Sequence, residues 1–181
     1  DTGDLGSVTA DGWVRLVGRA KDVIIRGGHN IDPAPVEQVL LEHPAVADAG
    51  VVGRPDARSG EVPVAYVVLR AEVPTDEIRA WAAQRVHEQA AAPAAVTALP
   101  ALPVTAIGKP DKVALRVLAT RAVLGPLLEG AGAQPDEDGG WCVARDGVVR
   151  VRLAVPDDHV AARCRELLEQ YAVDSEVVVA S

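Results

Sequence analysis

The sequence predicts an α+β fold in which a small antiparallel or mixed sheet packs with helices, followed by a ββαβ extension. Two observations lead to this prediction. Between residues 23 and 124, β-branched runs alternate with segments of helical apolar spacing, in the order strand, helix, strand, strand, helix, strand, helix. A stretch rich in glycine and acids at 130–140 then separates this part from a further hairpin, helix and strand.

The first predicted elements are a hairpin and a short strand. Strand-forming residues flank Asp11-Gly12, a dipeptide that favours a two-residue hairpin turn, and residues 13–17 form the outgoing strand. The β-branched run at 23–25 predicts a strand that ends in a tight turn at 26–30. Paired glycines in this turn permit backbone angles that other residues resist.

A helix and two strands follow. Asp32 precedes Pro33 and can cap a helix whose apolar residues keep helical spacing until Pro44 stops it. Residues 46–52 and 62–69 favour strands, and the turn-forming residues between them predict that the two strands are antiparallel neighbours.

Two more helices and a strand complete the first unit. Thr75 is predicted to cap the second helix, and residues 96–99 form the next strand. Asp111 starts the third helix. We expect this helix to reach Leu124 and to stop there, because Gly125-Pro126 disfavours helical structure.

The second unit is predicted as ββαβ. Residues 141–145 and 148–155 form a hairpin around Asp146-Gly147, Asp157 caps a helix, and residues 175–179 add a last strand.

The composition excludes several classes of protein. Of the 181 residues, 49% are hydrophobic but only 3% aromatic, without Phe or Met, so we expect a core of Val, Leu, Ile and Ala. The net charge of −8 argues against nonspecific nucleic-acid binding, which needs a basic surface. No apolar run reaches the roughly 18 residues of a membrane span, and no signal peptide is evident. These features predict a cytoplasmic protein, and the absence of an initiating Met suggests a piece of a longer one.

The two cysteines predict neither a metal site nor a disulfide scaffold. Cys142 and Cys164 are too far apart for a close-spaced metal or redox motif. We expect both to be reduced and buried as small hydrophobic residues, and we predict no metal site in this chain.

Four polar segments could carry chemistry: residues 2–4, 18–22, 26–30 and 105–112. In the first, Asp4 follows a glycine, so the segment is either a plain turn or a place where a carboxylate accepts hydrogen bonds from a vicinal diol such as ribose.

The second and third segments also have two interpretations. Residues 18–22 form either a solvated charged corner or a cationic fork at Arg19 with a pivot at Lys21. The turn that contains Arg26, Gly27 and Gly28 is either structural or lets a phosphate or a thin pantetheine arm approach the backbone. The neighbouring His29 is either a packed or surface histidine or a base.

The fourth segment presents a lysine at a loop tip. Pro110 disfavours helical angles at Lys109, so this lysine lies in an extended loop just before a helix. The spacing does not match a phosphate-binding P-loop. Lys21, Lys109 and Lys112 are the only lysines of the chain, and all lie in these segments, which indicates that a compact ammonium group is needed there.

Together these segments resemble the C-terminal part of the adenylate-forming superfamily, which comprises acyl-CoA synthetases, peptide-synthetase adenylation domains and luciferases. The resemblance covers about two thirds of the chain. It is carried by Thr2-Gly3-Asp4-Leu5, Asp11-Gly12-Trp13, Gly18-Arg19-Ala20-Lys21-Asp22, Gly28-His29-Asn30-Ile31, Pro35-Val36-Glu37, His43-Pro44-Ala45-Val46, Val52-Gly53-Arg54-Pro55-Asp56, Gly60-Glu61 and Gly108-Lys109.

The chain is predicted to divide into four parts. The resemblance implies that residues 1–20 are the last strands of an N-terminal domain with the hinge hairpin and that residues 21–124 are a C-terminal lid. Composition and pattern add a linker at 125–140 and the ββαβ extension at 141–181, which lies beyond the usual end of the family.

The resemblance also implies a role for each site residue. Lys109 would be the catalytic lysine of adenylate formation, Lys21 the hinge, and Asp4 and Arg19 the ligands of the ribose hydroxyls. The turn at Arg26, Gly27, Gly28 and His29 would line the tunnel for the acceptor thiol.

The implied reaction joins a carboxylic acid, fatty or aromatic, to CoA with ATP and Mg²⁺, through an acyl-adenylate. The N-terminal adenylation domain of the same polypeptide would be the partner of this lid, which would be inactive alone. Asn30 stands where some acetate-type synthetases have a cation near the CoA phosphates, so a carrier-protein thiol stays open as the acceptor. A noncatalytic interaction module is the alternative from another class.

Overall fold

The computed structural model describes residues 4–9, 11–135, 141–145 and 148–180. Its strands are β1 Asp4–Val8, β2 Val14–Arg19, β3 Ile24–Arg26, β4 His29–Ile31, β5 Val46–Asp56, β6 Gly60–Leu69, β7 Ala95–Ala98, β8 Cys142–Arg145, β9 Val148–Val155 and β10 Asp174–Val179. Its helices are α1 Pro33–Leu41, α2 Thr75–Arg85, α3 Lys112–Gly130 and α4 Asp158–Leu168. Thr2-Gly3, the acidic run at 136–138 and Asp146-Gly147 lie outside the described residues.

The predicted first hairpin is confirmed. β1 and β2 are antiparallel, and Gly12 has a φ of 84° in the connection between them. The Gly12 amide donates to the Thr9 carbonyl at 2.9 Å, which closes the turn. The following residues Ala20–Asp22 form a short 3-10 turn that leads from the hairpin into the main sheet.

The main sheet has five strands. Its order is β4-β3-β6-β5, and β7 pairs with β6. The predicted antiparallel pair β5 and β6 is confirmed and extends beyond its predicted ends to a turn between Asp56 and Gly60. β7 is parallel to β6, so the sheet is mixed, as predicted.

Helices cover both faces of this sheet. α1 and α2 pack on one face over an aliphatic core, whereas the first half of α3 packs on the other face. Gly50 lies beneath α3, and a Cβ there would lie 2.6 Å from Leu115 Cδ1, so the leucine side chain would have to shift. The fully buried side chains of this first unit are mainly Val, Ile and Leu, in agreement with the composition.

Two of the three predicted helix caps in this first unit are confirmed. The Asp32 carboxylate accepts from the Ala34 amide, and the Asp111 carboxylate accepts from the amides of Val113 and Ala114. The prediction that Thr75 caps α2 is wrong. Thr75 is already the first helical residue, because Pro74 is the last one with extended backbone angles, and the cap position therefore has no side-chain acceptor.

The predicted end of α3 at Leu124 is also wrong. The helix continues through Gly125-Pro126 to Gly130, so residues 125–130 are not part of a linker. Pro126 lacks an amide hydrogen, which costs about 3 kcal/mol in a helix interior. Beyond the proline, Leu128 is fully buried and Ala131 and Ala133 are also buried, and a buried Leu contributes roughly 1.5–3 kcal/mol, which offsets the loss.

The ββαβ extension is confirmed in the described residues. β8 and β9 are antiparallel, β9 and β10 are parallel, and α4 begins after Asp157, whose carboxylate accepts from the Val160 amide. Its core also includes the second half of α3. The buried residues of this second core are Leu124, Leu128, Ala131, Ala133, Trp141, Cys142, Val151, Leu153, Val155, Ala161, Cys164 and Leu168.

Both cysteines are free and buried in this second core, as expected. Burial raises the pKa of the Cys142 thiol to about 11 and raises that of Cys164 as well. Both thiols are therefore protonated at neutral pH and poor nucleophiles. Within the described part of the chain, none of the helices is both long and apolar enough to cross a membrane.

The shared core predicts losses of stability of very different size for two adjacent leucines of α3. Leu128 is fully buried between α3 and the extension, whereas Leu127 is 39% exposed. We expect Leu128→Ala to lower the free energy of unfolding by about 2–5 kcal/mol, because it leaves a cavity. Leu127→Ala should lower it by less than about 1 kcal/mol. Urea unfolding of the two variants measures both values, and equal losses would contradict the shared core.

Candidate functional site

The backbone register of the first hairpin brings together the two residues predicted to bind ribose. Asp4 and Arg19 are directly opposed across β1 and β2. Arg19 is exposed at the end of β2, two residues before the predicted hinge Lys21.

A tight loop presents Lys109. The Gly108 amide donates to the Thr105 carbonyl at 2.8 Å, and the Thr105 amide donates to the Lys109 carbonyl at 2.8 Å. Gly108 has a φ of 77°, which only glycine adopts without strain. A bridge between Val104 and Pro110 closes the base of the loop. The side chain of Lys109 is exposed, and among the described residues its ammonium has no ion-pair partner.

A single cleft joins the hinge region to the lysine loop. It has a volume of about 370 Å³ and contains three of the cations that the sequence singled out, Arg19, Lys109 and Lys112. Asp22, Glu37, Thr105, Ile107 and Pro110 complete its lining. Arg19 lies 90 or more positions before the two lysines in the sequence, and the fold places all three cations in one site.

The carboxylates of this cleft are already engaged. Glu37 Oε1 lies 2.8 Å from the Lys112 ammonium and also accepts from the Val51 amide at 2.7 Å. Asp22 Oδ1 lies 3.2 Å from the Arg116 guanidinium. Because other partners hold both carboxylates, they leave the Lys109 ammonium available to an anion that enters the cleft.

Lys21 lies in the 3-10 turn between the hairpin and the main sheet. Its carbonyl accepts a hydrogen bond from Arg116 Nη1 at 2.6 Å. Sequence reasoning did not assign a role to Arg116, Glu37 or Asp22. Their charges were visible in the sequence, but their pairing depends on how α1 and α3 pack against the sheet.

The glycine turn connects β3 to β4. Gly27 and Gly28 have φ values of 56° and 86°, as in the two-residue turns that join tightly twisted hairpins. A Cβ at either position would meet no atom within 4 Å, so the turn is open to the surface. The Gly27 amide donates to the Ser59 carbonyl at 2.7 Å, which fixes the turn against the β5–β6 connection.

The flanking residues of this turn differ in their surroundings. The Arg26 guanidinium donates to the Ala90 carbonyl at 2.6 Å and thereby braces the 3-10 turn Gln89–Ala91. His29 is exposed at the start of β4. Neither of these residues, nor Gly27 or Gly28, lines the cleft that contains Lys109, so the glycine turn lies outside that cleft.

The β5–β6 connection supports the glycine turn through Asp56. Its carboxylate accepts from the Arg58 and Ser59 amides and from the Ser59 hydroxyl. These hydrogen bonds, chiefly those from Ser59, lower the pKa of Asp56 below its ordinary value of 3.8. The charged form of Asp56 is therefore the one that holds this connection.

Comparison with known proteins assigns the central part of the chain. Residues 35–109 match the AMP-binding enzyme C-terminal domain. This segment belongs to that family. The chain is 48% identical over 118 residues to a marinolic acid–CoA ligase of Pseudoalteromonas sp., with 64% of this chain and 18% of the ligase covered. The chain spans about a fifth of the length of the curated relatives it matches.

Solved structures show the same relationship. The o-succinylbenzoate CoA synthetase of Bacillus subtilis, in complex with its acyl-adenylate OSB-AMP, is 43% identical with a TM-score of 0.59. The amide bond synthetase McbA of Marinactinospora thermotolerans is 40% identical with a TM-score of 0.58. The alignments cover 64% and 66% of this chain and 24% of each neighbour. The predicted C-terminal domain fold of acyl-CoA synthetases is thereby confirmed.

No group of three or more His, Cys, Asp or Glu in the described ranges could hold a metal ion. The carboxylates of the cleft are paired with cations instead.

The low pKa of Asp56 predicts a pH-dependent contribution to stability. A depressed carboxyl pKa stabilises the folded state fully above pH 3.8, and the contribution is lost as the pH falls through the lower folded value. Wild type should therefore melt at a higher temperature than Asp56→Asn at neutral pH, and the difference should shrink below pH 3.8. Thermal unfolding across this range measures it, and a difference independent of pH would contradict the assignment.

Proposed function

We propose that this chain forms the C-terminal catalytic lid of an ATP-dependent, AMP-forming carboxylate–CoA ligase. The observation that carries the proposal is that Arg19, two residues before the hinge, and Lys109 line the same cleft. The family assignment of residues 35–109 and the CoA ligases among the relatives support it. ATP with Mg²⁺, a carboxylic acid and CoA would be substrates, held mainly by an N-terminal adenylation domain of the same polypeptide.

In the first half-reaction the substrate carboxylate attacks the α-phosphorus of ATP, and pyrophosphate leaves. Negative charge accumulates around the phosphorus, and the exposed Lys109 ammonium would stabilise it. At about 4 Å and an effective dielectric near 20, the attraction is about 4 kcal/mol. If this attraction acted only in the transition state, it would accelerate the step by about three powers of ten.

Nucleotide orientation would come from the first hairpin. A carboxylate at Asp4 can accept hydrogen bonds from two ribose hydroxyls, and the guanidinium of Arg19 can donate to the same diol or to a phosphate. Their opposed positions on β1 and β2 suit this shared ligand. Because the hairpin precedes the hinge, these two residues would stay with the nucleotide when the lid turns.

In the second half-reaction the CoA thiol attacks the acyl carbon, and the bond to AMP breaks. The lysine loop would obstruct the thiol path, so the lid must turn about Lys21 and present the glycine turn instead. The separation of Gly27-Gly28 from the Lys109 cleft favours two such orientations. The open surface at these glycines leaves room for a thin pantetheine arm.

The wider role follows from this reaction. The lid would be inactive without the N-terminal domain, which supplies the pocket for a fatty or aromatic acid. A cytoplasmic location belongs to the same proposal, since ATP and CoA are abundant there.

The likeness to an amide bond synthetase favours a second candidate acceptor, an amine. A carrier-protein thiol is the third candidate, because no cation occupies position 30. The intact enzyme, incubated with candidate acids, ATP and either CoA, a carrier protein or amines, would identify the acceptor by its product. If no acid gives AMP and pyrophosphate under any condition, the chain is a noncatalytic interaction module and the proposal fails.

We expect Lys109→Ala in the intact enzyme to abolish adenylate formation, with a loss of about three powers of ten, because the transition-state charge loses its cation. Thioester formation from supplied acyl-adenylate should continue. Pyrophosphate release and acyl-CoA formation measure the two steps separately.

Arg70→Ala is the matched control, since it removes an exposed cation of the same lid outside the cleft and away from the glycine turn. It should leave both half-reactions unchanged. Equal losses of both half-reactions in Lys109→Ala would contradict the role of this lysine.

We expect Lys21→Pro to damage one half-reaction by at least about tenfold and to affect the other far less, because proline fixes φ at the pivot. The same two assays, made on one preparation, give the ratio of the two rates. Unchanged rates in both assays would place the hinge elsewhere.

A further inference from the structure

We propose that Arg116 is a positioning residue that makes Lys21 the pivot of the lid. The inference rests on the proposed function, because it assumes that the lid adopts two orientations. Three hydrogen bonds carry it. Arg116 Nη1 donates to the Lys21 carbonyl at 2.6 Å, Nη2 donates to Asp22 Oδ1 at 3.2 Å, and Nε donates to the carbonyl of Lys112 on its own helix at 3.3 Å.

The side chains that make these contacts are mostly buried. The side chain of Arg116 is 19% exposed and that of Asp22 is 22% exposed. Charge-assisted hydrogen bonds in such surroundings are stronger than ion pairs on the open surface. The planar guanidinium reaches a carbonyl and a carboxylate at once, which a lysine ammonium on a flexible stem does less well.

The helix that carries Arg116 is itself fixed to the lid. Lys112, one turn earlier on α3, is paired with Glu37 of α1 at 2.8 Å, and Leu115 is fully buried against the sheet. The guanidinium is therefore a fixed point of the lid body, and it ties the hinge segment to that body.

The bond to the Lys21 carbonyl has a geometric consequence. A peptide unit is planar, so fixing this carbonyl fixes the whole unit between Lys21 and Asp22. Upstream, β2 is held in its hairpin up to Arg19. The torsions that can change without breaking either anchor are then those of Ala20 and Lys21. The hydrogen bonds from Arg116 to Lys21 and Asp22, which we call the Arg116 clamp, thereby confine the rotation to Ala20 and Lys21.

The test is a double-mutant cycle in the intact enzyme, with the two half-reactions assayed separately. Lys21→Pro keeps the carbonyl that Arg116 holds but stiffens the confined pivot. Arg116→Ala releases the next peptide unit, so bending can move to Asp22. We therefore expect Arg116→Ala to restore the half-reaction that Lys21→Pro damages, by about threefold or more relative to Lys21→Pro alone.

Arg121→Ala is the matched control, because Arg121 lies on the same helix but donates to the Cys142 carbonyl of the extension. It should not restore the Lys21→Pro enzyme. Arg116→Lys should restore it less than Arg116→Ala does, because one hydrogen bond can persist. If the Arg116→Ala variant fails to fold, Arg116→Lys takes its place in the cycle. The half-reaction rate of the double variant is then compared with that of Lys21→Pro alone.

The outcomes separate this inference from the proposed function. If wild type forms no acyl-adenylate, the proposed lid function is wrong. If Lys21→Pro changes neither rate, the assignment of Lys21 as the hinge is wrong. If Lys21→Pro slows one half-reaction and the added Arg116→Ala slows it further, by an additive or larger factor, only the proposed role of Arg116 is overturned. A merely structural arginine predicts that last result.

Discussion

The structure depends on one helix, α3, that is buried in two cores. Leu115 and Ala119 in its first half pack against the main sheet, and Leu124 and Leu128 in its second half pack against the extension. Because apolar side chains of one helix are buried in both cores, the main sheet and the extension cannot move independently of each other. The lid and the extension therefore form one body along α3, although their sheets do not join.

The same helix organises the candidate site. Its N-terminus follows the lysine loop directly, and Asp111 caps it, so the position of Lys109 is set by where α3 begins. Lys112, the first residue of α3, pairs with Glu37 of α1, and Arg116, one turn further, pairs with Asp22 beside the hinge. A cleft of about 270 Å³ then separates Lys21 and Arg116 from the extension, which places the extension beside the hinge.

Much of the fold was predictable because local signals agreed with tertiary packing. The strand pair β5 and β6, the caps at Asp32 and Asp111 and the ββαβ order of the extension all followed from periodicity and turn residues. The end of α3 was not predictable from local preference, because the burial of Leu128 in the second core offsets the cost of the proline. The predicted cap of α2 was wrong by a single residue, since Thr75 is the first helical residue and not the cap. Helix ends are uncertain by one or two residues when they are read from local sequence.

The sequence alone determined the family resemblance, the α+β class, the aliphatic core and the segments that contain Asp4, Arg19, Lys21 and Lys109, since each of these is encoded in local patterns. Only the tertiary structure decided that Arg19 and Lys109 share one cleft and that the glycine turn lies apart from it. It also decided that Arg116 holds the hinge, a contact between residues 95 positions apart in the chain. Such contacts depend on how helices dock on a sheet, and docking is set by side-chain packing over the whole unit, which no local pattern specifies.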